Sequence, residues 1–344
     1  MSTFFPPEDD QPGDDLPGPA PRRRNRGLTI ALVALAVIVV GALASAAIYV
    51  GSIDRTVTSN VQVGEDLPPE VPEDEDEAPR PPKGATEAVN YVIMGSDARP
   101  DDSAGRSDVL MVAHLAADRQ SAALISFPRD MWVDVPGHGK NKINAAYSLG
   151  GPQLTVRTLE GLLGTRMDHT AQIDFEGFVQ VTKDLGGVTV DNPHYSKTGD
   201  WEFSVGEITL EGDQALAYVR ERKQLPRGDL DRAERQRLVA QAILRQALSP
   251  EVIANPLKFN RVVGSVAKQV TVDRGLTGSE MRKTALSVRF RPDDIASLQA
   301  PISGFGTSSD GQSIDVVDED KLDELAEALR DDDLQSFLDR YPRG

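Results

Sequence analysis

The segment "NYVIMGSDARPDDSAGRSDVLMVAHL", residues 90–115, decides the fold. Its two ends are apolar and rich in β-branched residues, so each reads as a buried strand. Between and beside these strands stand Asp97, Arg99, Arg106 and Asp108. A third apolar run, "SAALISFP" (121–128), follows a turn over Ala116–Gln120 and closes on Arg129 and Asp130. The turn between the second and third runs, and the one loop between the first two, predict hairpin-linked strands.

Further along, strands and helices alternate. "GGPQLTVRTLEGLLG" (150–164) has Pro152 just inside its start and Gly164 at its end, the asymmetry of a helix. "AQIDF" predicts a short strand, and "DFEGFVQVTKDLGG" a helix with Asp174 as N-cap and Gly186–Gly187 as its stop. "GVTVD" is another strand and "EGDQALAYVRER" begins as a helix. "DLDRAERQRLVAQAILRQAL" is a long amphipathic helix, with Asp231 and Glu234 at capping-box spacing. More helices are expected at 255–269, 277–288 and 319–340. The class is therefore α/β: a central mixed β-sheet flanked by helices in three α/β/α layers.

The charged residues share a placement. With side chains alternating along extended chain, Asp97 and Arg99 share a face, as do Arg106 and Asp108, Lys140 and Lys142, and Arg220 and Arg222. On the long helix, Arg232 shares a face with Arg235 or with Gln236. Each group closes an apolar element on its loop side, where ligands bind in α/β folds. One exposed ion pair contributes about 1 kcal/mol or less and needs no function. Several gathered at the same kind of position argue for a common site. Arginine forks suit phosphate oxygens, and the N-terminus of the Asp231 helix adds free N–H groups. The carboxylates Asp97 and Asp108 suit Mg²⁺, which takes one or two carboxylates together with phosphate oxygens. The charges thus point to a diphosphate-and-magnesium site.

Composition narrows the choice. The 344-residue chain has a net charge of −17 and no cysteine. Such acidity argues against nucleic-acid binding. Disulfides, thiolate metal sites and cysteine nucleophiles are excluded. The four histidines, His114, His138, His169 and His194, show no zinc-binding spacing. "GHGKNK" is a glycine turn with lysines rather than a nucleotide-binding loop, and neither a Gly-x-Ser-x-Gly elbow nor a Gly-x-Gly-x-x-Gly turn follows any strand.

The first quarter of the chain differs from the rest. Residues 1–26, rich in Pro, Asp and Gly, read as a disordered cytoplasmic tail ending in "RRRNR". Residues 27–50 carry no charge, enough for one transmembrane helix, and the arginines before it place the N-terminus inside. A cleaved signal peptide with "ASA" (44–46) as its site is the rival. Residues 51–87 read as an acidic, Pro-rich stalk, and 88–344 as one extracytoplasmic domain.

"YVIMGSDAR", "RSDVLMVAHL", "LISFPRDMWVDVPGHGKNKINAAYSLGGP", "IDFEGFVQVTKDLGGVTVD", "LEGDQALAYVRERK" and "DLDRAERQ" occur in the order seen in the LytR–CpsA–Psr family. The chain resembles that family from about residue 88 to 250, and less distinctively beyond. No Val-x-Val-Leu-Asn-Gly-like motif of a further C-terminal domain is found, so the single-domain form is expected.

The resemblance implies a membrane-anchored cell-wall enzyme. It would take a glycopolymer from a polyprenyl-pyrophosphate carrier and transfer it to peptidoglycan as a phosphodiester. Asp97 and Asp108 would contribute to Mg²⁺ binding. Arg106, Arg129, Lys142, Arg220, Arg222 and Arg235 would surround the pyrophosphate, with Arg99, Asp130 and Arg232 as further members. Arg106, Asp108, Arg129 and Arg220 are the expected catalytic residues. The roles of Arg227 and Asp229 stay open, as does the general base: Asp108 or Asp97 could take the proton, but the same residue cannot easily serve as base and tight metal ligand. The apolar faces of "LTVRTLEGLL" and "FEGFVQV" are candidates for the lipid groove, although such stripes more often form core. A lipid pyrophosphatase and a non-catalytic wall-lipid binder are the alternatives.

Overall fold

The computed structural model describes residues 60–71, 78–96, 107–247, 249–253, 255–291 and 294–342. The tail, the candidate membrane span, and Asp97, Arg99 and Arg106 lie outside the described residues. Among those described, no helix is long and apolar enough to cross a membrane.

The strands are β1 (Gln62–Val63), β2 (Val89–Ser96), β3 (Ser107–Leu115), β4 (Ala122–Ser126), β5 (Trp132–Val135), β6 (Gly139–Lys142) and β7 (His169–Asp174). They continue with β8 (Val188–Asn192), β9 (Ser196–Thr198), β10 (Trp201–Phe203), β11 (Gly206–Leu210), β12 (Val270–Val272), β13 (Ala296–Gln299), β14 (Ile302–Thr307) and β15 (Ser313–Val317). The main sheet has the order β1-β12-β7-β2-β3-β4-β13. As expected, β2, β3 and β4 are antiparallel neighbours. Strand β7 joins β2 in parallel and β13 joins β4 in parallel, so the sheet is mixed.

Side-chain alternation builds the layers. Val92 and Met94 of β2, Leu110 and Val112 of β3, Ala123 and Ile125 of β4, and Leu298 of β13 enter one core. That core is completed by Val156, Leu159 and Leu163 of the Ala145–Leu163 helix and by Leu322, Leu325 and Leu329 of the Glu319–Arg330 helix. The residues in between, Ile93, Met111 and Leu124, point to the other face, towards Ala240 of the Asp229–Ala247 helix. A further core joins that helix to the Phe175–Asp184 and Gly212–Arg220 helices and to the β8–β11 hairpin. The three-layer expectation holds because the central strands are apolar on both faces.

Local chemistry explains several helix ends. Asp174 caps its helix, its carboxylate accepting from Gly177 N at 2.7 Å. Gly164 ends the Ala145 helix in the left-handed region, with φ of 55°. That helix begins five residues before Gly150 and is kinked at Gly150–Gly151, so Pro152 starts its second segment.

Four expectations need correction. Asp231 does not cap the long helix, which begins at Asp229; its carboxylate instead accepts from Arg227 N and Nε, at 2.7 and 2.6 Å. The segment 319–340 is two helices, Glu319–Arg330 and Leu334–Arg340, parted at Asp332 with φ of 57°. The apolar stripe of "LTVRTLEGLL" supplies the main core rather than an open groove.

Finally, the described parts of the segment read as a stalk pack on the domain. Strand β1 pairs with β12, and Leu67 packs against the main core. Arg80 binds Glu160, with Nη2 to Oε1 at 2.6 Å, and donates also to Met167 O at 2.6 Å. The two side chains are only 4% and 3% exposed. Pattern reading missed this because the segment's composition is that of a spacer, whereas one arginine finds a buried carboxylate.

Removing one partner of a buried pair leaves the other charged and unpaired, at a cost of about 3–5 kcal/mol. Arg80→Ala is therefore expected to lower the urea-unfolding free energy by that amount. An unchanged midpoint would show that the segment is not docked in solution.

Candidate active site

The C-terminal ends of β2, β4, β7 and β13 and the start of β3 lie on one edge of the sheet, as their registers require. Asp108 is the second residue of β3. Arg129 and Asp130 follow β4 after a turn held by Met131 N to Pro128 O at 3.0 Å and Asn144 N to Arg129 O at 3.3 Å. Lys142 ends the β5–β6 hairpin, and Asp229 opens the long helix.

Arg129 is the centre. Its Nη1 donates to Asp108 Oδ1 at 2.8 Å. Its Nε lies 3.5 Å from Asp229 Oδ1 and 3.7 Å from Asp130 Oδ2. Lys142 Nζ reaches Asp130 Oδ1 at 2.8 Å. On the far side of Asp229, Arg232 Nη2 donates to Oδ2 at 2.9 Å and Arg222 Nη1 lies 3.9 Å from Oδ1. Arg129, Asp108, Asp130 and Lys142 are all about one-fifth exposed, so the group is reachable yet screened from bulk water.

The electrostatics follow. Burial acts to lower the Arg129 pKa, but Asp229, Asp108 and Asp130 outweigh it and hold the guanidinium above its ordinary value. Arg232 is pushed down, by burial first and by the neighbouring Arg129 and Arg222. Arg129 Nε and Arg232 Nε are buried without a hydrogen bond among the described residues, as is Arg235 Nε outside the group; Arg129 Nε lies 3.5 Å from Asp229 Oδ1, itself without one. A buried orphan donor is costly, and an anion's oxygens would satisfy it.

Other expected residues make contacts outside the Arg129 group. Arg220, the last residue of its helix, rests on the Phe175 ring at 4.6 Å from the centroid. It lines one concavity together with Arg222, on either side of Glu221, whose carboxylate accepts from Lys223 N at 2.7 Å. Lys140 pairs with Asp134 on the exposed part of the hairpin, and only Lys142 reaches the group.

The expected place of Arg235 in the anion site is not what the structure shows. Its residue is 0% exposed, and it donates to Ser196 Oγ at 2.9 Å, Asn192 Oδ1 at 3.2 Å and His194 O at 2.7 Å, over the Tyr218 ring. Helix geometry gives the reason: position 235 is turned about 60° from 232, whereas 236 is about 40° away on the other side. The first lies with the core residues Val239 and Ala242. Gln236 donates to Val219 O at 3.3 Å.

The sequence pattern missed Asp315. It sits on β15, 5% exposed, with its N–H on Asp130 O at 2.9 Å and Oδ2 buried without a partner among the described residues. The available signal was an acid inside the apolar run "SIDVV". Burial first, then Asp130 and Asp229, push its carboxyl from 3.8 up to about 6.

A raised carboxyl pKa means that the folded chain keeps a proton the unfolded chain has already lost. The stabilisation is complete below about pH 4 and is lost as pH rises through about 6. Asp315→Asn is expected to melt several degrees higher than the parent at pH 7.5 and to match it near pH 4, for a difference on the order of 3 kcal/mol at most. Equal melting temperatures at pH 7.5 would show that Asp315 carries no such burden.

Comparison with known proteins adds the family context. The model of the LytR_cpsA_psr family matches residues 51–331. TagU of Halalkalibacterium halodurans, named a polyisoprenyl-teichoic acid–peptidoglycan teichoic acid transferase, is 37% identical over 225 residues, 65% of this chain and 72% of that one. LcpB of Corynebacterium glutamicum, named a probable cell wall biosynthesis protein, is 32% identical over 71% of this chain and 62% of its own. Among solved structures, B. subtilis TagV superposes with a TM-score of 0.62 at 29% identity, covering 72% of this chain and 98% of that chain. TagT bound to LI-WTA superposes with a TM-score of 0.58 at 26% identity, covering 79% and 98%.

Proposed function

The chain belongs to the LytR–CpsA–Psr family, and on that premise we propose that it transfers a glycopolymer from a polyprenyl-pyrophosphate carrier to peptidoglycan during cell-wall assembly. The observation that carries this reading is the Arg129 group: cations held at the sheet edge by carboxylates, with Arg129 Nε and Arg232 Nε buried and not hydrogen-bonded. Relatives named teichoic acid transferases support the class of reaction.

The chemistry asked of these residues is phosphoryl transfer. An acceptor sugar hydroxyl attacks the phosphorus next to the glycopolymer. The bond from that phosphorus to the bridging oxygen breaks, and polyprenyl phosphate leaves with the electron pair. Negative charge spreads over the phosphate oxygens, where Arg129, Lys142, Arg222 and Arg232 stabilise it without first reorganising. The hydroxyl proton goes to a base that stays unassigned, because Asp97 and Asp108 are the proposed metal ligands. Arg106 and Arg99 complete the proposed anion site, and Arg220 borders it at the end of β7.

The donor set suits a hard divalent cation. Arg129 takes only Oδ1 of Asp108, and no described residue donates to Oδ2. Asp108, with Asp97, is the proposed Mg²⁺ ligand pair. Bound Mg²⁺ would neutralise charge on the diphosphate. An anchor at residues 27–50 and an extracellular domain complete the proposed arrangement.

Release of polyprenyl phosphate by the purified full-length protein is expected to depend on added peptidoglycan acceptor. Equal release without acceptor would mark a pyrophosphatase instead. Arg129→Ala is expected to lower the transfer rate about 10²–10³-fold; retention of full activity would remove the Arg129 group from the mechanism. Chelation should abolish transfer, and Mg²⁺ should restore it.

A further inference from the structure

A second concavity lies outside the Arg129 group. It encloses about 670 Å³ and runs over the sheet's terminal strand, β13, between the Asp229–Ala247 helix and the C-terminal Leu334–Arg340 helix. A volume of this size suits a small organic ligand or one repeat of a chain. Its walls pair apolar surface with cations: Leu238, Leu298 and Phe337 on one hand, Arg237, Lys321 and Arg340 on the other.

The charges are unequally matched. Arg340 has Glu324 and Lys321 has Asp318, at 2.5 and 3.3 Å. Arg237 makes no ion pair among the described residues and donates only to Ser126 Oγ; the nearby Glu234, also on the wall, acts on it through space but is paired with Arg227. Burial pulls its guanidinium down to about 10. A buried cation with a neutral partner is costly, and a carboxylate from outside would repay that cost.

The concavity is also tied to the reacting group. Ser126, which receives the Arg237 bond, stands three residues before Arg129. Arg227, another lining residue, stands two before Asp229.

We infer that this groove holds the acceptor: a carboxylate-bearing peptidoglycan strand, its acidic groups on Arg237 and Lys321 and its sugar faces on Leu298, Phe337 and Leu338. The inference rests on the transferase reading and assigns the second substrate of that reaction to a place apart from the diphosphate site. Arg237, Lys321 and Arg340 on the wall, with Arg237 in no ion pair of its own, select an anionic glycan over a neutral polymer.

The test uses the full-length protein in detergent with a lipid-diphosphate donor and soluble, uncrosslinked peptidoglycan fragments. Arg237→Gln and the exposed Lys321→Glu are compared with the parent. Each is expected to raise the KM for acceptor about tenfold, the size of one lost charge-assisted hydrogen bond, with the KM for donor unchanged. An unchanged acceptor KM in Lys321→Glu, which cannot be ascribed to misfolding, overturns the groove assignment. So does a rise confined to the donor KM. Should the parent itself transfer nothing, the transferase reading falls. Direct binding of the same fragments then decides the groove separately: weaker binding by both variants supports it, and equal binding overturns it.

Discussion

The structure depends on a single guanidinium. Arg129 is where the start of β3, the loop after β4 and the N-terminus of the Asp229 helix meet, through Asp108, Asp130 and Asp229. A planar fork with donors on several sides bonds Asp108 while its Nε lies 3.5 and 3.7 Å from Asp229 and Asp130; an ammonium on a flexible stem offers no such fixed fork. At one-fifth exposure these pairs are neither surface ornaments nor a dry core network. Their service is positional. The carboxylates hold the cations at fixed places before a ligand arrives, so little reorganisation is left for binding or for the development of charge in a transition state.

Neighbouring arginines on one helix have different tasks for a geometric reason. Arg232 faces Asp229 and the strand ends, whereas Arg235 lies beneath the helix among Ser196, Asn192, His194 and the Tyr218 ring. A fully buried guanidinium with neutral acceptors ties the helix to the β8–β11 hairpin region and so helps to aim its first turn. Arg237, on a third side, turns towards Ser126 and the groove over β13. One amphipathic helix therefore serves a charged group, a core and a groove, each on its own stripe of residues.

Acidic groups are used with equal economy. Asp229 and Asp130 sit among cations, while Asp315 behind them pays for its burial with a raised pKa. The group thus contains a carboxyl, Asp315, that prefers its proton. That preference follows from burial and from the nearness of other acids rather than from residue type.

Much was legible without coordinates. Apolar runs near residues 91, 109 and 122, short and separated by turns, pointed to strands buried on both faces. Glycines at 164, 186 and 187, and Asp174 before its helix, marked element ends because conformational freedom and capping are local properties. The gathering of Asp108, Arg129, Asp130 and Lys142 was foreseeable from their common place at strand ends. Other outcomes depended on long-range packing: which arginine of the Asp229 helix turns outward, that Arg80 buries itself against Glu160, and that Asp315 stands behind the charged group. Such choices are made by partners distant along the chain, and the energies of buried charge exist only once the fold has removed the water around them.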